Sequence, residues 1–345
     1  MPAERSIPVL PFGRYCLLFS HRQPLGLPRF SGSAWRGALG WALRRAVCVM
    51  GRTECADCTL NGTCAYPYIF ETRPPPDAAK MRRYRTVPHP FVLEVPPAGD
   101  ATNPPEEISV GLTLFGRANR LLPYLVHALA QAGAQGIGRR RDVLGLECVT
   151  QESAPGSGQW RTVGHCAADL KPELPQTPTI PGCPTTATVR FHTPMRLKRK
   201  GRNVTPESFE PADLFGNLLR RLSMLTYFHT DTPLETDFVA LTDLARSTKT
   251  VDRRLQWRDW TRYSSRQQTA MQMGGVTGEC TIDLTKLDAL WPYLWLGQWT
   301  HAGKGTSMGL GRYSLDGTHG MDAISNRASA SEATLAFGGV RCAEA

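Results

Sequence analysis

Ser33–Val47, SAWRGALGWALRRAV, and Asp213–Phe228, DLFGNLLRRLSMLTYF, decide how the chain is read. Each places apolar residues at helical spacing: Leu39, Leu43 and Val47 in the first, and Leu214, Leu218, Leu222 and Leu225 in the second. Recurrence every three or four residues gathers such side chains on one face, so both stretches predict amphipathic helices. Ser33 supplies a candidate N-cap for the first. Each helix contains a Leu-Arg-Arg, Leu43-Arg44-Arg45 and Leu219-Arg220-Arg221. Each also follows a strand-like run, Tyr15–Ser20 or Thr188–His192, and a loop.

The correspondence continues outward. Leu122-Pro123-Tyr124-Leu125 and Trp291-Pro292-Tyr293-Leu294 open two further helices, with proline in the first turn, where its missing N–H is tolerated. Each is followed by Gly-x-Gly-Arg, at Gly136–Arg139 and Gly309–Arg312. The three markers are offset by 176, 169 and 173 residues, a near-constant spacing that predicts a duplication. The predicted class is α+β: tandem ferredoxin-like (RRM-like) β-α-β-β-α-β domains, with a Cys-rich insertion in the first. The domains are expected at 1–170 and 186–316. Between them lies Lys171–Thr185, KPELPQTPTIPGCPT, whose five prolines in fifteen residues predict a stiff, extended linker. Arg73–Asp77 reads as a surface loop and 317–345, rich in Ala, Ser and Gly, as a flexible tail.

Composition excludes some classes. Of 345 residues, 41% are hydrophobic and 20% charged, enough apolar material for ordinary cores. No stretch reads as a membrane span, and the N-terminal MPAERSIPVLPFGRY has no apolar signal core, so a cytoplasmic protein is expected. The formal charge is +10, and 33 of the 40 basic residues are Arg. Arginine binds phosphate bidentately and stacks on bases, so the surplus points toward nucleic acid.

Cys48, Cys55, Cys58 and Cys64 fall within seventeen residues. The Cys55-x-x-Cys58 spacing lets two thiolates from one turn reach one ion. The four together are candidate ligands for a structural zinc or an iron–sulfur cluster, alternatives the spacing leaves open.

His301–Arg312, HAGKGTSMGLGR, is a glycine-rich loop without the GxxxxGK[ST] pattern of a nucleotide-binding loop. Glycines at 303, 305, 309 and 311 suggest a backbone able to approach phosphates and turn its N–H groups toward them, with Lys304 and Arg312 adding charge.

Taken together, Ser33–Arg45, Cys55–Glu71 (CADCTLNGTCAYPYIFE), Gly111–Arg117 (GLTLFGR), Phe191–Leu197 (FHTPMRL), Asp259–Gln267 (DWTRYSSRQ) and the loop from His301 to Tyr313 resemble the CRISPR-associated endoribonucleases of the Cas6 family, in the RAMP superfamily. The resemblance is spread over about 300 residues. It implies two ferredoxin-like domains, a groove between or across them, and a role in antiviral defence. It further implies cleavage of precursor CRISPR RNA without a catalytic cofactor, by attack of a 2′-hydroxyl that leaves 2′,3′-cyclic phosphate and 5′-hydroxyl ends. CRISPR repeat RNA is the implied partner, with other CRISPR effector subunits as further candidates.

Such chemistry needs a base for the 2′-hydroxyl, an acid for the leaving oxygen, and a cation for the transition state. Many relatives carry a histidine on the first helix; SAWRGALGWALRRAV has none. His21 and His301 are the leading candidates for proton transfer and His192 the third. Lys304 is the candidate for phosphate stabilisation, with Arg36 as a second cation. Expected RNA contacts are Arg36, Arg44 and Arg45 on the first helix; Arg196, Lys198, Arg199, Lys200 and Arg202 in a basic loop; Arg262, Ser264, Arg266 and Gln267; and Gly303, Gly305, Ser307, Gly309, Gly311 and Arg312 in the glycine-rich loop. The missing histidine keeps open a non-catalytic RNA-binding subunit. The cysteines and charge would also suit a DNA-binding zinc protein, which would leave the duplication without a cause.

Overall fold

The computed structural model describes residues 7–316, except 24, 29, 52–53, 73, 75–77, 79–86, 97–106 and 265–268. The expected tail at 317–345 and all of the 73–77 loop but Pro74 therefore lie outside the described residues.

The N-terminal half runs β1 (Phe12–Ser20), α1 (Gly32–Val47), α2 (Ala65–Phe70), β2 (Phe91–Glu94), β3 (Glu107–Phe115), a 3-10 turn (Gly116–Leu121), α3 (Leu122–Gln135), β4 (Gly145–Glu152) and β5 (Trp160–Gly164). Its antiparallel sheet has the order β2-β3-β1-β4-β5. The C-terminal half runs β6 (Thr186–Met195), the short pair β7 (Lys198–Arg199) and β8 (Arg202–Asn203), α4 (Pro211–His229), α5 (Phe238–Arg246), β9 (Lys249–Arg258), the hairpin β10 (Thr261–Ser264) and β11 (Thr269–Gln272), β12 (Gly275–Asp283), α6 (Trp291–Thr300) and β13 (Tyr313–Leu315). Its main sheet, also antiparallel, has the order β13-β6-β12-β9. In each half's main sheet the first strand lies between the third and the fourth, so the repeat read from the offsets reappears as one strand order twice, with β5 added at the edge of the N-terminal sheet.

The helices form for the reasons their sequences suggest, with shifted ends. Helix α1 begins at Gly32 with Ser31 as its N-cap residue, two positions before the expected Ser33, and that serine's side chain makes no cap bond. Helix α4 closes a capping box instead: Glu210 and Asp213 reciprocally bond each other's backbone N–H, with Pro211 in the first turn. Trp35, Leu39 and Leu43 are buried against β1, where Phe19 packs on Trp35 with ring centroids 5.0 Å apart.

Leu10, Phe12, Val92 and Phe115 of the N-terminal half belong to the C-terminal half's core. Phe12 lies 5.5 Å from Trp299. The Pro-rich segment is extended, as expected, but it is strapped down. Phe12 and Gln176 exchange backbone hydrogen bonds of 3.0 and 3.2 Å, and Trp291 Nε1 donates to the Pro181 carbonyl at 2.7 Å.

Candidate functional site

Two strands, one helix and one loop build the site. The glycine-rich loop lies in the connection from α6 to β13, and its short 3-10 turn (Thr306–Met308) packs against α1 and β2 of the other half. Gly303, Gly305, Gly309 and Gly311 all have φ between +71° and +88°, where side chains are disfavoured. A Cβ on Gly311 would stand 1.7 Å from the Ala302 carbonyl oxygen.

The loop is not the open phosphate cradle its glycines suggested. Eight of its N–H groups, on Ala302, Gly303, Lys304, Met308, Gly309, Leu310, Gly311 and Arg312, donate to protein oxygens such as Pro194 O, Arg196 O and Asn217 Oδ1. The glycines serve left-handed turns and close backbone contact.

Two side-chain systems join the loop to the N-terminal half. In the first, Arg36 Nε donates to Ser307 Oγ at 2.9 Å, while Arg36 Nη2 lies 3.0 Å from His89 Nε2. An arginine donates, so His89 accepts through Nε2. Burial, and the charges of Arg36 and Arg221, push His89 down to about 3, so its ring is neutral. The Arg36 guanidinium also stands 5.1 Å over the Phe70 ring.

The second system is largely interior. His301 Nε2 lies 3.2 Å from Glu94 Oε1, and its Nδ1 lies 3.2 Å from the Leu310 carbonyl. Arg14 and Arg312 each come within 3.9 Å of Glu94 Oε2, and Arg14 Nη1 donates to Glu152 at 2.6 Å. Burial alone would raise Glu94, but the His301 hydrogen bond and the charges of Arg312 and Arg14 prevail and hold it at about 2. Burial pushes His301 down against the pull of Glu94. His301 also adopts φ 58°, ψ 166°, a backbone region nearly confined to glycine.

The expected site residues divide accordingly. His301, at 0% exposure, is an internal clamp with no solvent-facing edge, because both ring nitrogens meet protein oxygens. Arg312 turns inward to Glu94. His21, in the turn after β1, bonds the Gln23 carbonyl at 2.9 Å, and His192 bonds Ser314 Oγ at 2.7 Å on the exposed face of β6. Lys304 is exposed, with its ammonium held below the ordinary lysine range by partial desolvation and by Lys198, Arg196 and Arg220. Those four cations converge from three segments. Lys200 and Arg202 are exposed on the β7–β8 turn. Arg199 is not available in the same way: it is bonded to Asp213, Glu210 and the Ser208 carbonyl at the start of α4. Arg196 donates to the Gln272 carbonyl at 2.9 Å. Arg44 lies over Tyr66, and the exposed Arg45 lies over the half-exposed Trp41 ring at 5.4 Å. Arg262 sits on β10 opposite Met271, with Ser264 on the same strand, while Arg266 and Gln267 fall outside the described residues.

Cys48, Cys55, Cys58 and Cys64 have free thiols and line one pocket. Among the described residues no three metal-binding side chains are gathered at ligand spacing. Sequence reading missed Arg14, His89 and Glu94. The available signal was an arginine and a glutamate inside the otherwise apolar strands FGRYCLLFS and FVLE.

Two antiparallel sheets with one strand order, joined by an inward-packed glycine loop, define an α+β protein of Cas6-like architecture. Residues 189–313 match the sequence model of the CRISPR-associated endoribonuclease Cas6, and residues 10–171 that of the AF_1859 N-terminal domain. The match to the Cas6 family lies in the C-terminal half of the chain. Thermus thermophilus Cas6 (TTHB231), in its product complex, superposes with a TM-score of 0.54 at 17% identity, over 88% of this chain and 99% of that one. The product complex of Cas6 (TTHA0078) gives 0.50 at 17% identity, over 89% and 99%. At these identities the likeness is one of fold. An uncharacterized protein of Archaeoglobus fulgidus is 30% identical over 111 residues, a match spanning 32% of this chain and 37% of that protein. Among the described residues no helix is long and apolar enough to cross a membrane.

Proposed function

We propose that the protein is a crRNA-processing endoribonuclease built from tandem ferredoxin-like halves. It binds CRISPR repeat RNA and cuts the precursor by attack of the 2′-hydroxyl on the adjacent phosphorus. The 5′-oxygen leaves, giving a 2′,3′-cyclic phosphate and a 5′-hydroxyl. The observation that carries this reading is the cluster of Lys304, Lys198, Arg196 and Arg220 beside a loop fixed to α1 through Arg36 and Ser307. Like charges gathered in one place repel one another, a polyanion relieves that repulsion, and RNA phosphates supply one.

In this reading Lys304 stabilises charge on the transferring phosphoryl group. Arg36, oriented by Ser307 and His89, holds the backbone for in-line attack. The part-exposed His21 carries the proton-transfer assignment. His301 positions the loop and moves no proton.

Cleavage of repeat RNA in excess EDTA, with no cutting of a substrate carrying a single 2′-deoxy at the cut site, is the expected result. Cutting of the deoxy substrate would overturn 2′-hydroxyl attack. A second reading, an RNA-binding subunit without cleavage, is favoured by one observation: His89 and His301, the histidines joined to the loop's anchoring, are both desolvated and bonded internally. Tight binding without any cutting would select it.

Lys304→Ala should leave stability unchanged, since the side chain is exposed. It should weaken repeat binding evenly across sequences and reduce the slope of log K against log salt by about 1. An unchanged slope would remove Lys304 from the phosphate contacts.

A further inference from the structure

Between α1 and α2 the described residues of 48–64 form turns, and none of their side chains is buried. Such a segment has no core of its own to order it. Its inward-turned residues are the four cysteines with Ala56 and Asn61. All four cysteines line one pocket of about 20 Å³, walled by apolar groups including Val47, Leu60 and Pro67. The Cys58 N–H donates to the Cys55 carbonyl at 3.3 Å and the Asn61 N–H to the Cys58 carbonyl at 3.0 Å, so consecutive turns present Cys55 and Cys58 to one side.

We propose that Cys48, Cys55, Cys58 and Cys64 bind one zinc ion as a tetrathiolate. The thiols are free and face one pocket without being drawn to ligand spacing, so the ion closes the site as it binds. Four thiols surrender four protons, and the resulting centre carries a charge of −2. Arg44, on the pocket wall, is the cation placed to offset it. A cubane iron–sulfur cluster also takes four thiolates, and metal analysis distinguishes it from zinc. With no position left open, the ion is structural. It fastens the end of α1 to the start of α2, whose Phe70 packs against Arg36.

The test is the metal content of full-length protein purified without chelators, then reloaded with zinc and desalted. About one zinc per chain is expected, with release on mercurial titration of four thiols. Cobalt substitution should give the thiolate charge-transfer bands of a tetrahedral site. The Cys55→Ser/Cys58→Ser double variant should retain less than about a tenth of the zinc, while Cys166→Ser retains it all. If the double variant is insoluble, thiol titration and cobalt spectra of the wild type decide alone. Reloaded wild type holding no zinc, disulfides among these cysteines, or iron with acid-labile sulfide would each overturn the assignment.

Discussion

Glu94→Ala is expected to destabilise the protein by about 3–5 kcal/mol and lower Tm by roughly 5–10 °C. The carboxylate is buried among His301, Arg14 and Arg312, and these partners come from both halves of the chain. Removing it leaves arginine charge in the interior with one fewer acceptor, and frees His301 from the contact that opposes its unfavourable backbone conformation. The pH dependence has a fixed sign. Glu94 is held at about 2, below its ordinary 4.5, so its contribution is complete above 4.5 and is lost as pH falls toward 2. A shift of that size corresponds to roughly 3 kcal/mol, in line with the mutational figure. Urea unfolding of wild type and Glu94→Gln between neutral pH and pH 3 should show their difference shrinking with acid. Equal stabilities at neutral pH would show that Glu94 does not hold the halves together.

Gly32→Ala should reduce repeat-RNA cleavage on the order of 10²-fold. The glycine opens α1, and a Cβ there would meet the Met308 carbonyl oxygen at 2.2 Å, with backbone on both sides. Neither partner can swing away as a flexible side chain would, so α1 and the glycine-rich loop must part. The 2.9 Å bond from Arg36 to Ser307 is one helical turn away and would lengthen with them. Gly37→Ala, on the same helix with nothing within 4 Å of the added Cβ, is the control. It should cleave normally and gain roughly 0.5–1 kcal/mol from the better helix former. Normal cleavage by Gly32→Ala would mean that the contact between helix and loop does not set the geometry of the reaction.

What the sequence made legible was periodic. Leu39 and Leu43, or Leu214, Leu218 and Leu222, sit one helical turn apart and are all buried. Pro292 stands in the first turn of α6, and the near-constant offsets foretold the matching strand orders. The interior of the site was not legible, because its bonds join distant positions: Arg14 to Glu152 across 138 residues, and His301 to Glu94 across 207. A glycine run likewise looks the same in sequence whether it faces a ligand or another backbone. Met308 and Leu93, which decide the matter here at Gly32 and Gly309, are tertiary neighbours. Arg199 shows the same limit. Its basic surroundings suggested a phosphate ligand, yet Asp213 on the following helix claims it.

The shared core has a thermodynamic consequence. Phe12, Val92 and Phe115 are counted among the C-terminal half's buried residues, and the strap at Gln176 fastens the same edge. Separating the halves would expose those side chains to water, at about 1.5–3 kcal/mol for each. Such a scaffold meets its ligand with its conformational entropy already spent during folding. The ordering cost of complex formation then falls on the partner's own freedom, so a strand presented in a constrained shape would bind more tightly than the same strand left flexible.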